Sequence, residues 1–114
     1  MPRLFVDVDD TLVRWKGAYE PHPYGFGAEG WEPNLDVIRY IRDWKATNPD
    51  GQVFIWSGGG REYAATWRDT LIPGLHTTTM SKIPSFTQPG DTIIDDQNLQ
   101  GFAGRVLHPA ELAS

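Results

Sequence analysis

A chain of 114 residues, 39% hydrophobic and 12% aromatic, is expected to be one domain, long enough for a single core and too short for a separate lid domain. It has no cysteine, which excludes disulfides, thiolate metal sites and a cysteine nucleophile, so any metal must be held by oxygen or histidine. A net charge of -5 argues against broad electrostatic binding to nucleic acid, and with no charged-then-apolar leader and no apolar run near the roughly 20 residues of a bilayer span, a cytoplasmic protein is expected.

The first element is the apolar run from Leu4 to Val13, interrupted by Asp7, Asp9 and Asp10 and followed by Thr11. Side chains alternate across a strand, so Asp7 and Asp9 leave it on the same face. Carboxylates this crowded repel each other, and two converging at a strand's carboxyl end suit a hard, oxygen-preferring ion such as Mg²⁺. An Asp-rich turn that merely caps backbone is the plainer alternative. Residues 14–31 are rich in Pro, Gly and aromatics and read as a loop, a loose hairpin or a flap over the site. Trp15, Tyr19, Tyr24, Phe26 and Trp31 either overhang the carboxylates or pack the loop onto the body.

Pro33 fits the first turn of a helix, and Leu35, Ile38, Ile41 and Trp44 follow at helical spacing until about Asn48-Pro49. Gln52 to Trp56 then reads as a short strand buried on both faces of a parallel sheet. It ends in Ser57-Gly58-Gly59-Gly60, ahead of a helix from Arg61 to Leu71 with Tyr63, Ala64, Trp67 and Leu71 on one side. A strand, a Gly-rich turn and a helix N-terminus favour an anion, with the Ser57 hydroxyl beside them, although neither the Walker nor the dinucleotide spacing is present. Leu75 to Thr79 is a short strand or a connection, and Lys82 follows it. Asp91 to Asp96 is another apolar strand with a carboxylate doublet, Asp95-Asp96, at its carboxyl end. Asp91 opens that strand about 13 Å from Asp95, a structural position. Asn98 is expected to cap a short helix or turn between Gly101 and Gly104, and Arg105-Val106-Leu107 forms the last strand before a short tail.

Strands ending in Asp7 and Asp9, in Ser57 and in Asp95 and Asp96 alternate with helices, which predicts an α/β fold with a mostly parallel sheet and ligands at one rim. Mg²⁺ would neutralise the four carboxylates and attract a phosphate, whose other oxygens can meet Ser57, the Gly-rich backbone and Lys82. This outlines a phosphoryl-transfer site.

In this order, Asp7-x-Asp9-x-Thr11, Ser57, Lys82 and Asp95-Asp96 resemble the four motifs of the haloacid dehalogenase (HAD) superfamily of phosphatases, over nearly the whole chain. The resemblance implies a single three-layer Rossmann-like domain spanning residues 1–114, with no separate cap domain. It implies Asp7 as the nucleophile that forms an aspartyl-phosphate and Asp9 as the general acid and then base. Mg²⁺ would be held by Asp7, the backbone carbonyl of Asp9, Asp95 and Asp96. Ser57, Gly58 and Lys82 would bind the phosphoryl group, Lys82 would also keep Asp7 ionised, and Thr11 would shape the turn. Asp9 speaks for a phosphatase and against a dehalogenase. The substrate expected of such a lidless member is a phosphomonoester; a nucleotide or a polynucleotide end is preferred, with a sugar phosphate or a phosphoprotein left open by the sequence. A neighbouring subunit serves some lidless relatives as a lid. A second, looser resemblance is to small phosphatase-like proteins of phages.

Three rivals remain on the sequence. A receiver domain carries similar residues, but its Lys follows the acidic motifs, whereas Lys82 precedes the final doublet. A non-catalytic module that binds a phosphorylated partner needs no second Asp in the first motif. A lidless Mg²⁺ nuclease has no specific need of the Ser57 cradle.

Overall fold

The computed structural model describes residues 2–15, 31–82, 87–97, 99 and 101–112. The leading apolar run forms β1 (Arg3–Asp7) and turns back into β2 (Val13–Trp15), which pairs antiparallel with β3 (Trp31–Pro33). Then come α1 (Leu35–Thr47), β4 (Gln52–Trp56), α2 (Arg61–Leu71), β5 (Thr78–Met80), β6 (Thr92–Ile94), β7 (Arg105–Leu107) and a 3-10 turn over Pro109–Leu112. The protein is α/β, with a five-stranded sheet in the order β5-β4-β1-β6-β7 and every pairing parallel.

Local chemistry sets the helix ends. The sequence placed Pro33 in the first turn of α1, but Pro33 closes β3, and Asn34 caps the helix by accepting a 3.4 Å bond from the Val37 amide through its side chain. Asp36 near the start and Lys45 near the end complement the helix dipole. Pro49 disfavours helical backbone at Asn48, where α1 stops. α2 begins at Gly60, whose φ of 117° is open to glycine and strained for other residues. The stretch read as Leu75 to Thr79 becomes a strand only over Thr78–Met80, where it runs alongside β4. The tail holds an unforeseen turn: the His108 amide donates to Glu111 Oε2 at 2.6 Å, and the Ala110 amide donates to His108 Nδ1 at 3.0 Å.

The strand order explains the layering. Moving outward from β1 to β4 to β5 by right-handed crossovers puts α1 and α2 on one face of the sheet. On that face Leu4, Val6, Val53, Ile55, Ile94 and Leu107 pack with Val37, Ile41, Ala64 and Trp67 in one buried cluster. The opposite face carries Phe5 stacked on Phe54 at 4.9 Å, with Phe102 edge-on at 6.3 Å. Among the described residues, helices therefore cover one face of the sheet, and side chains from the β6–β7 connection reach the other. No helix among them is long and apolar enough to cross a membrane.

Trp31 is half-buried and packs against the core, consistent with loop packing. Tyr19, Tyr24 and Phe26 of the expected flap, and Asn98 as the expected cap, lie outside the described residues.

Candidate metal and phosphate site

Parallel pairing puts the carboxyl ends of β4, β1 and β6 side by side. The register sets Asp7 against Trp56 and Val6 against Ile94. Ladder bonds continue past the strand ends: Val8 N–H to Trp56 O at 3.1 Å, Ser57 N–H to Met80 O at 3.1 Å and Asp95 N–H to Leu107 O at 3.0 Å. Asp7, Ser57 and Asp95 thus stand on one rim. Just beyond, Asp10 takes a φ of 60°, and among the described residues it alone does so without being glycine. That reversal lets the Leu12 amide bond back to Asp7 O at 3.2 Å and returns Leu12 and Val13 to the core. It also sets the buried Thr11 hydroxyl against Asp7, donating to Oδ2 at 3.2 Å.

Asp7, Asp95 and Asp96 each offer an oxygen within 4.8 Å of the others. Asp7 and Asp95 are buried, at 8% and 1% exposure. Burial, the charge of Asp95 and both a hydrogen bond and the charge of Asp96 push Asp7 up to about 9, with Thr11 pulling slightly the other way. Burial raises Asp95 to about 6, against the bond from the Gln97 amide and with Asp96 adding to the rise. Asp95 Oδ1 accepts that bond at 2.9 Å, whereas Oδ2 is buried with no hydrogen-bond partner among the described residues. A buried acceptor with no donor normally costs stability. Clustered carboxylate oxygens with one orphaned member fit a hard divalent cation, and Mg²⁺ is of that kind.

Asp9 stands apart from that cluster. Its Oδ1 accepts from the Tyr63 hydroxyl at 2.7 Å and its Oδ2 lies 3.5 Å from Ser57 Oγ. Burial raises its pKa, and the Tyr63 and Ser57 bonds pull it back. Ser57 is fully buried, and its hydroxyl also accepts from the Gly59 amide at 3.0 Å. The serine expected to bind phosphate is therefore also tied to Asp9.

Of the other expected residues, Gly58 is exposed with open space where a Cβ would stand. Thr11 faces Asp7, in keeping with a turn-shaping role. Lys82 is exposed and lines a groove of about 550 Å³ with Arg61, Thr79, Met80 and Ser81, beside the Ser57 loop. Asp91 is structural, gripped by Arg3 at the other end of the sheet. Two contributors escaped the sequence reading. Tyr63 sits on the apolar side of α2 and was legible there only as packing. Asp10 was one of a carboxylate run, and nothing in its neighbours signalled a left-handed turn.

No protein-family model, curated protein or solved structure matches the chain.

Proposed function

We propose that the protein is a Mg²⁺-dependent phosphomonoester hydrolase of HAD-like type, a cytoplasmic, Rossmann-like single domain without a cap, working through an aspartyl-phosphate on Asp7. The observation that carries this reading is the cluster of Asp7, Asp95 and Asp96 with the orphaned Asp95 Oδ2, on the same rim as a separately held Asp9. Asp7, Asp95, Asp96 and the backbone carbonyl of Asp9 would hold Mg²⁺. Bound there, the ion supplies positive charge to the crowded carboxylates and to the phosphate.

In the first half-reaction an Asp7 carboxylate oxygen attacks phosphorus as the bond to the leaving oxygen breaks. The Asp9 carboxyl gives its proton to that oxygen, so an alcohol departs and Asp9 is left ionised. Asp9 then takes a proton from water as the water oxygen attacks phosphorus. Inorganic phosphate leaves and the Asp7 carboxylate is restored. The Thr11 bond to Oδ2 steers the nucleophile. Ser57, the Gly58 backbone and Lys82 would receive phosphoryl oxygens. The groove beside them has two cationic side chains, Arg61 and Lys82, which favours an anionic substrate such as a nucleotide or a polynucleotide end.

The test is hydrolysis of p-nitrophenyl phosphate by the purified protein with and without Mg²⁺, beside Asp7→Asn. Phosphate release that requires Mg²⁺ and disappears in the variant is the expected result. Absence of turnover with the metal bound would point to a phosphate-binding module.

A further inference from the structure

We infer that Tyr63 is a positioning residue for Asp9, fixing which carboxylate oxygen carries the proton to the leaving group; the inference rests on the phosphatase reading above. Asp9 lies on a turn beyond the end of β1, where the backbone alone does not fix a side-chain rotamer. Among the described residues, two groups reach its carboxylate. The Ser57 hydroxyl donates to Oδ2 across 3.5 Å, at the limit of a hydrogen bond. The Tyr63 bond is 2.7 Å, the length of a strong O–H to carboxylate bond, and it does most to hold the group.

Tyr63 is itself well anchored. It stands in the first turn of α2, half-buried, with its ring packed against the core cluster that α2 shares with the sheet. Its hydroxyl is therefore a fixed point on the rim. By donating to Oδ1 through the shorter bond, that hydroxyl occupies one oxygen and leaves the transferable proton to Oδ2, whose 3.5 Å contact with Ser57 is the weaker and gives way as the Ser57 hydroxyl turns to a phosphoryl oxygen. As the P–O bond breaks, the Oδ2 proton passes to the leaving oxygen, and the Tyr63 proton stays where it is, now donating to a full carboxylate. Without the phenol, Asp9 can turn its proton away, and alignment at a proton transfer is worth one or more orders of magnitude.

The role predicts a dependence on the leaving group that a structural role would not produce. A p-nitrophenolate leaves without a proton, whereas an alkoxide does not. With Mg²⁺ saturating, Tyr63→Phe, which keeps the ring, should lower kcat/KM for 2-phenylethyl phosphate roughly 30-fold, and at least about tenfold more than for p-nitrophenyl phosphate. Asp9→Asn should show the same selectivity more strongly, and Tyr63→Phe added to it should cause no further selective loss, because the phenol acts through Asp9. Thermal melting of each variant checks that α2 remains seated. Equal loss on both substrates, or selective loss that adds to that of Asp9→Asn, overturns the inference and leaves the phosphatase standing. Failure of the wild-type protein to hydrolyse either phosphate with Mg²⁺ overturns both.

Discussion

The two ends of the β1–β6 pair handle a buried aspartate in opposite ways. At the amino end, Asp91 accepts from Arg3 Nε at 2.9 Å and Arg3 Nη2 at 2.5 Å, and from the Gln88 amide at 2.8 Å. At the carboxyl end, Asp95 faces Asp7 and Asp96 and, among the described residues, keeps one oxygen without a donor. Exposure is nearly equal, 2% for Asp91 and 1% for Asp95, so burial does not separate them. The partner does. Burial works to raise Asp91, yet the Arg3 bond, the Gln88 amide and the Arg3 charge outweigh it and bring its carboxyl below the ordinary range. Among the described residues Asp95 meets no such cation, and it rises to about 6. A buried carboxylate with a guanidinium on it is costly to strip of that partner, and one set against other carboxylates is a candidate to meet a ligand.

Breaking the carboxyl end should have the largest effect on activity and little cost in stability. Asp7→Asn should lower phosphate release on the order of 10³-fold or more. Its metal-free melting temperature should equal or exceed that of the wild type, because a carboxyl raised to about 9 by burial and two like-charged neighbours must take up a proton as the chain folds at neutral pH, a cost that Asn does not carry. Calorimetry and a phosphate assay on the same sample check both halves.

Breaking the amino end should do the reverse. Arg3→Ala leaves Asp91 buried without its cation and should cost about 3 kcal/mol, read by urea unfolding, while turnover per folded molecule holds. The two ends also carry opposite pH signs. Asp91 has a native pKa below its unfolded value, so its contribution is present above roughly pH 4 and is lost as pH falls through the native value. Asp95 and Asp7 have native values above their unfolded ones, so in metal-stripped protein their contribution is present below roughly pH 4. It is then lost as pH rises through about 6 and about 9. Stability against pH should therefore lose part of its acid fall in Asp91→Asn and part of its alkaline fall in Asp7→Asn. Adding Mg²⁺ at 100 times its Kd should raise wild-type stability by about 2.7 kcal/mol, and much less in Asp7→Asn.

A smaller effect sharpens the amino end further. A Cβ on Gly104 would collide with the Asp91 backbone carbonyl, and the neighbouring Arg105 amide donates to that same oxygen at 2.9 Å. Gly104→Ala should cost roughly 1–3 kcal/mol and leave the metal response intact. Loss of Mg²⁺ stabilisation in that variant would show the two ends to be coupled.

Much of the site was legible because it lies close along the chain. Asp7 and the doublet after Thr92–Ile94 were legible because each follows an apolar strand, whereas β1 ends at Asp7, so strand alternation does not reach Asp9, which stands in the turn beyond and is tied to Tyr63. Pro49 and the Gly-rich turn marked helix ends by restricting backbone angles. Pro33 misled because its fixed φ suits a first helical turn and a strand end alike, and the Asn34 side chain decided between them. Lys82 was placed by its order in the chain, yet it lies exposed in the groove with Arg61, because β5 pairs only over Thr78–Met80 and the chain leaves the sheet just before it.

The sequence by itself determined the two helices, the strands ending at Asp7, Trp56, Ile94 and Leu107, the absence of cysteine chemistry and the carboxylates at strand ends, since each follows from side-chain type and short-range spacing. Only the tertiary structure decided that β6 lies beside β1, that Arg3 answers Asp91 across 88 positions, and that the Tyr63 hydroxyl meets Asp9 across 54. Those contacts depend on strand order and crossover hand, which join residues far apart in the chain and leave no periodicity to be read.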